Sequence, residues 1–243
     1  MENNTEFIHN NQYSLSIRFS SNGFSLNIYD ETDLLISKKN IEVSLYSLKE
    51  DSIFETITRE VETQLEFKNT RIICESDIYT LIPSVFFNLE TVSDYLYFQH
   101  EVGKNESIIV NQLPALDSTL IFALPQHLHN ALKRLYPTVD IQHHLASFLS
   151  DVTKNRNDSS LKILTRTKML DVAVISNGNI TLLNSYSYNT PEDFTFFVLN
   201  IFEILSLDTE TFKVHIYNSA KNIEIKNILQ KYLKELTVVG YII

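Results

Sequence analysis

DVAVISNGNITLLNSYSYNTPEDFTFFVLNIFEIL, residues Asp171–Leu205, changes its period halfway along. Up to Tyr188 it reads as extended chain broken by Asn177-Gly178, a pair suited to the positive φ angles of a two-residue hairpin turn. Lys162–Ile175 and Asn179–Tyr188 are therefore expected to be antiparallel strands. Thr190, Pro191 and Asp193 then supply an N-cap, an N1 proline and an acidic N3 position. Past them Phe194, Val198, Ile201 and Leu205 recur at helical spacing, which buries one face of a helix. Downstream, Phe212–Tyr217 reads as a strand. Ser219 caps a further helix with Ile225, Leu229, Tyr232 and Leu236 on one stripe, and Val238–Ile243 closes the chain as a strand. The order is hairpin, helix, strand, helix, strand.

The N-terminal part opens the same way. Leu15, Ile17 and Phe19 alternate with polar residues, Ser20–Gly23 turns, and Phe24, Leu26 and Ile28 alternate again. A third strand is expected at Leu34–Ser37. A helix follows, with Ser52 and Glu55 as a capping box and Ile53, Ile57, Val61 and Leu65 on one face. Thr80–Phe87, Ile108–Val110 and Leu120–Ala123 read as strands. Pro125 starts a helix with Leu128, Leu132 and Leu135 inward, and Leu145, Phe148, Leu149 and Val152 mark another. Residues 1–150 carry 10 basic and 20 acidic groups, and residues 151–243 carry 10 of each. The change falls in the polar run Ser150–Ser160 (SDVTKNRNDSS), so two domains are expected, 1–150 and 151–243. A hairpin joined to α/β units, present twice, points to a duplicated α/β fold with a mixed sheet in each lobe.

Composition removes several functions. Of 243 residues, 20 are Lys or Arg and 30 Asp or Glu, a net charge of −10. That opposes phosphate-driven binding of nucleic acid or an anionic membrane. Only 4 residues are Gly, where average usage of about 7% would give roughly four times as many. Gly23, Gly103, Gly178 and Gly240 stand far apart, which excludes the glycine-rich phosphate cradles and the G-x-S-x-G elbow. One cysteine, Cys74, permits neither an intrachain disulfide nor a thiolate metal cluster. The N-terminus lacks the basic and apolar regions of a signal peptide, and no apolar run of about 18 residues occurs. A cytoplasmic protein without a membrane span is expected.

The chemistry-bearing residues are few. Asp171 is the lone carboxylate in its strand, and a lone acid without a second acid or a metal does little chemistry. His127 and His129 point about 200° apart on a helix, and the adjacent His143 and His144 are expected to diverge as well. With His100 they fall short of the three converging ligands of a catalytic zinc site, so no metal is expected. Cys74 ends the apolar run Ile72-Ile73 and reads as a buried thiol. Among the phenylalanines at 194, 196, 197 and 202, Phe196 alone lies off the core stripe.

The opening YSLSIRFSSNGFSLNIYD, Tyr79–Phe87 (YTLIPSVFF), Ile121–His144 (IFALPQHLHNALKRLYPTVDIQHH) and Asp171–Leu205 together resemble a bacterial family of unknown function with an actin-like ATPase fold. More distantly the chain is similar to FtsA and PilM. The resemblance implies two ribonuclease-H-like lobes facing a nucleotide cleft, the first with an insertion. Active relatives hold nucleotide with two D-x-G hairpin loops and a late Gly-Gly turn. Here the first aspartate falls on Arg18 and its glycine on Ser20. The second loop falls near Thr165–Lys168 without either residue, and the Gly-Gly turn falls on Asn218–Ala220. Arg18 is either a positive replacement for the metal or an outward strand residue. Ribonuclease-H-type nucleases need an acid on the first strand, and Tyr13–Phe19 has none. Arg18, Ser20, Asn22, Asn218 and Ser219 are the cleft candidates, with no cofactor expected. The leading expectation is a bacterial pseudo-ATPase, a non-catalytic binding or scaffold protein whose partner is another protein. A divergent nucleotide-dependent ATPase or kinase, and a small-molecule sensor using the inter-lobe cleft, are the alternatives.

Overall fold

The computed structural model describes residues 13–61, 67–153, 159–217 and 223–240. Alternation builds the first sheet. β1 (Ser14–Ser20) turns Leu15, Ile17 and Phe19 into the core and pairs antiparallel with β2 (Gly23–Tyr29). β2 pairs with β3 (Leu35–Glu42), which runs beyond the expected Ser37. α1 (Glu50–Val61) then buries Ile53, Ile57 and Val61. Ser52 sits inside α1 rather than capping it, because Glu50 and Asp51 already occupy the first turn.

Two strands absent from the sequence reading complete this sheet. β4 (Asn69–Cys74) lies parallel to β1, and after an insertion β8 (Ile141–His143) lies parallel to β4. The order is β3-β2-β1-β4-β8. Within the insertion, β5 (Tyr79–Pro83), β6 (Glu106–Leu113) and β7 (Ser118–Pro125) form a three-stranded antiparallel sheet in the order β5-β7-β6. The expected strand to Phe87 stops at Pro83, and a 3-10 turn takes Ser84–Phe86. A short helix, α2 (Val92–Tyr97), sets Leu96 against Ile121 and Ala123 of β7. α3 (Gln126–Leu135) follows β7 directly. Asn111 of β6 uses its side-chain amide on β8, donating to Ile141 O (2.9 Å) and accepting from His143 N (2.7 Å). That occupies backbone groups an edge strand would otherwise offer.

The chain divides into two compact units, Met1–Ser147 and Phe148–Ile243, and the division falls within α4 (His144–Val152). In the second unit β9 (Ser160–Arg166), β10 (Met169–Ser176) and β11 (Asn179–Ser187) form an antiparallel meander. The stretch expected as one strand, Lys162–Ile175, is two strands. The turn between them is Thr167–Lys168, with Lys168 at φ 58°. The next turn is the expected one, with Asn177 at 51° and Gly178 at 78°. β12 (Lys213–Tyr217) lies parallel to β9, and β13 (Leu236–Val239) parallel to β12. The order β11-β10-β9-β12-β13 repeats that of the first unit, with new strands at the same places.

α5 (Pro191–Ile204) and α6 (Ile223–Leu229) supply helical faces to this core, which includes Phe194, Val198, Ile201, Phe202, Ile225 and Leu229. Tyr232 and Leu236 leave the helical stripe. α6 ends at Leu229, Leu233 takes the buried place, and Leu236 opens β13. Leu65, Ser219 and residues 241–243 lie outside the described residues.

The start of α5 carries a full capping box. Asp193 N donates to Thr190 Oγ1 (3.1 Å), and the Asp193 carboxylate accepts from Thr190 N and Asn189 N. Those two amides hold the Asp193 carboxyl below its ordinary range. Its folded value being lowered, its stabilisation is present above the unfolded Asp range and is lost as pH falls through the folded value. Thr190→Ala is expected to cost about 1 kcal/mol, read as a lower urea midpoint at neutral pH. An unchanged midpoint would show that the box contributes nothing.

Candidate functional site

The sequence placed its candidates at the first hairpin (Arg18, Ser20 and Asn22) and just after β12 (Asn218 and Ser219), and the first hairpin is built by alternation. Because Ile17 and Phe19 face the core, Arg18 lies on the other side of β1 with Ser16 and Ser20. Its guanidinium is not a free outward group. Nε and Nη2 donate to one oxygen, Glu75 Oε1, at 2.9 and 2.7 Å. Glu75 is held in place by the ladder: its backbone N–H donates to Phe19 O (2.9 Å), one residue past the end of β4. The side chains of Arg18 and Glu75 are 11% and 16% exposed. Arg18 Nη1 is buried without a hydrogen-bond partner. At the tip, Ser20 Oγ donates to Gly23 O (3.3 Å), and Asn22 O accepts from Val43 N (3.2 Å). Arg18, Ser20 and Asn22 thus come together on one hairpin. Asn218 and Ser219 lie outside the described residues.

Cys74, just before Glu75, is fully buried, and burial first and the Glu75 charge second push its thiol well up. It stays protonated and inert at neutral pH.

In the second unit Asp171 is not the isolated acid the sequence suggested. Its Oδ2 accepts from Arg166 Nε (2.7 Å) and its Oδ1 from Arg166 Nη2 (2.8 Å) and Ser185 Oγ (2.5 Å). Asp171 is 0% exposed and the Arg166 side chain 6%. On one continuous strand, residues five apart face opposite sides. The turn at Thr167–Lys168 folds Arg166 back onto β10, opposite Met169 and diagonal to Asp171. Ser185 lies directly across β11.

The histidines also differ from expectation. His143 and His144 do not diverge: both are fully buried, with ring centroids 4.2 Å apart, because one ends β8 and the other starts α4. His143 Nδ1 accepts from Leu145 N, so its Nε2–H donates to Ser76 O (2.9 Å). Phe122 and Tyr79 pack on the same ring at 4.9 and 5.1 Å. His100 Nε2 lies 2.9 Å from Tyr79 O. His129 is held below the usual imidazole range by burial and then by Lys133. Among the described residues no three His, Cys, Asp or Glu side chains converge as metal ligands. Phe196 is 64% exposed, while Phe197 stacks on Tyr186 at 4.8 Å and Phe194 and Phe202 are buried.

Two sheets of one order, each with an antiparallel meander feeding two parallel strands, define an actin-like ATPase fold with two lobes. A crystal structure from Bacteroides thetaiotaomicron, described as a protein with actin-like ATPase fold and unknown function, superposes with a TM-score of 0.83. It is 23% identical and covers 96% of this chain and 93% of its own. The chain belongs to the family described as "Protein of unknown function (DUF3822)", matched over residues 2–236. More distant likenesses of fold are the PilM-PilN type IV pilus biogenesis complex, at 8% identity and TM-score 0.57 over 93% of this chain and 88% of that one. Another is the ethanolamine utilization protein EutJ from Carboxydothermus hydrogenoformans, at 11% and 0.51 over 93% and 84%. No curated protein matches the chain in sequence. Among the described residues no helix is long and apolar enough to cross a membrane.

Proposed function

We propose that this is a non-catalytic, protein-binding member of the actin-like fold, a bacterial cytoplasmic pseudo-ATPase. In this reading residues 1–150 form the first ribonuclease-H-like lobe with its insertion, and 151–243 the second. The observation that carries it is the Arg18–Glu75 pair. The resemblance puts a metal-holding carboxylate at Arg18, and a cation there repels Mg²⁺. The acid nearby, Glu75, is already bound to that cation. The donor set does not fit a divalent metal. At the second hairpin the turn Thr167–Lys168 has no glycine to let backbone amides close on phosphate, and Arg166 and Asp171 are bound to each other. Both hairpins use their charged groups as internal joints. A protein-binding role is further supported by the fold's likeness to PilM, solved in complex with PilN.

Calorimetry with ATP and excess Mg²⁺ is the test. No saturable heat is expected at micromolar protein. A low-micromolar dissociation constant abolished by EDTA would overturn the reading and put the ATPase or kinase alternative first.

A further inference from the structure

The insertion carries apolar surface that the core does not use. Val85, Phe86, Leu89, Tyr97 and Phe98 are 80, 70, 66, 56 and 89% exposed, all within one short stretch of chain. Single exposed apolar residues are ordinary, whereas five so close along the chain call for a partner.

Their base is ordered. Tyr95 Oη donates to Phe86 O (2.6 Å) and accepts from Asn88 N (2.9 Å), which bolts the 3-10 turn Ser84–Phe86 to α2. Asn88 Oδ1 accepts from Glu90 N (2.9 Å) and starts the next turn. Phe87, Val92 and Tyr95 pack around Leu96, Ile121 and Ala123 beneath. The exposed side chains therefore stand on a fixed platform, which lowers the ordering cost of binding.

Charge identifies the occupant. From Ile72 to Gly103 the sequence has no Lys or Arg. Glu90, Asp94 and Glu101 are exposed among the apolar residues, and none has an ion-pair partner among the described residues. A second copy of this face would set these acids against themselves, and a surface of anionic lipid would be repelled. We propose that this platform docks a basic segment of another protein that carries aromatic or aliphatic anchors, the apolar residues supplying affinity and the acids orientation. This deepens the binding reading above and rests on it.

Random-peptide display on the full chain tests it. The expected enriched peptides carry net positive charge and large apolar residues. Their affinity by fluorescence anisotropy should fall roughly tenfold or more with Phe86→Ser/Phe98→Ser. It should fall several-fold with Glu90→Gln/Asp94→Asn/Glu101→Gln and with added salt. These positions are exposed, so unfolding midpoints should not move. Peptides of neutral or negative charge would overturn the proposal. So would affinity indifferent to both variants, or a dimer in sedimentation that Phe98→Ser dissolves. Tight Mg-ATP binding would sink the non-catalytic reading and leave this result standing. A failed selection would sink the platform and leave the Arg18–Glu75 argument intact.

Discussion

Arg166→Met is expected to lower unfolding free energy by about 3–5 kcal/mol, the cost of leaving a buried carboxylate without its cation. Asp171 is wholly buried and receives two short charged hydrogen bonds from Arg166. Ser185 Oγ is an uncharged donor and supplies no countercharge. Removing both charges, as Arg166→Met/Asp171→Leu, is expected to recover much of the loss, because two desolvated ions can be replaced by apolar groups at little net cost. Urea denaturation of the two variants is the measurement. A single variant as stable as the wild type, or a double variant worse than the single, would show that the pair is not what holds this hairpin.

Gly23→Ala is expected to be comparably damaging, for a steric reason. A Cβ on Gly23 would lie 2.0 Å from the carbonyl oxygen of Ile41, in β3, and the residue has φ 142°, which side chains rarely adopt. The obstacle is backbone, so the two strands must part. Losses above about 4 kcal/mol are confined to mechanisms of this kind and lower the melting temperature by on the order of 10 °C. Gly103 is the control, since its Cβ would come no closer than 3.9 Å to the Glu106 side chain. Gly103→Ala should change the melt little. Equal effects at the two positions would remove the steric argument.

Elements whose signal lies within a few residues were legible from sequence. The Asn177-Gly178 turn and the Thr190 cap need only their own neighbours, and both are as expected. β4 was missed because it is a parallel strand between two others, and β8 because it is a three-residue strand at the sheet's edge. Ile72-Ile73-Cys74 shows no alternation and has no hairpin turn to announce its partner. The break at Thr167–Lys168 was missed because the turn has neither Gly nor Asn. Lys168 adopts positive φ without the residue type that signals it. Those two omissions hid the site chemistry. Arg18 was singled out from a resemblance, but its partner Glu75 lies 57 residues away, reachable only through the β1–β4 register. Arg166 and Asp171 both fall within the stretch read as one strand, where residues five apart would face opposite sides.

The insertion also bears on how the chain reaches its native topology. β4 meets β8 at Ile72↔Ile141, whereas the corresponding strands of the second unit, β12 and β13, meet at Val214↔Leu236. Closing the longer path as free chain costs about 1 kcal/mol more in entropy than closing the shorter, since the cost grows with the logarithm of length. Most of that path is not free chain. β5, β7 and β6 pair antiparallel with one another, and Leu96 packs on β7, without any residue of the main sheet. Once they have formed, a short connection before β5 and the stretch carrying α3 after β7 are left to be ordered, and Asn111 stands ready to seize β8. The small sheet is thereby a tether that brings distant parallel strands within reach of each other.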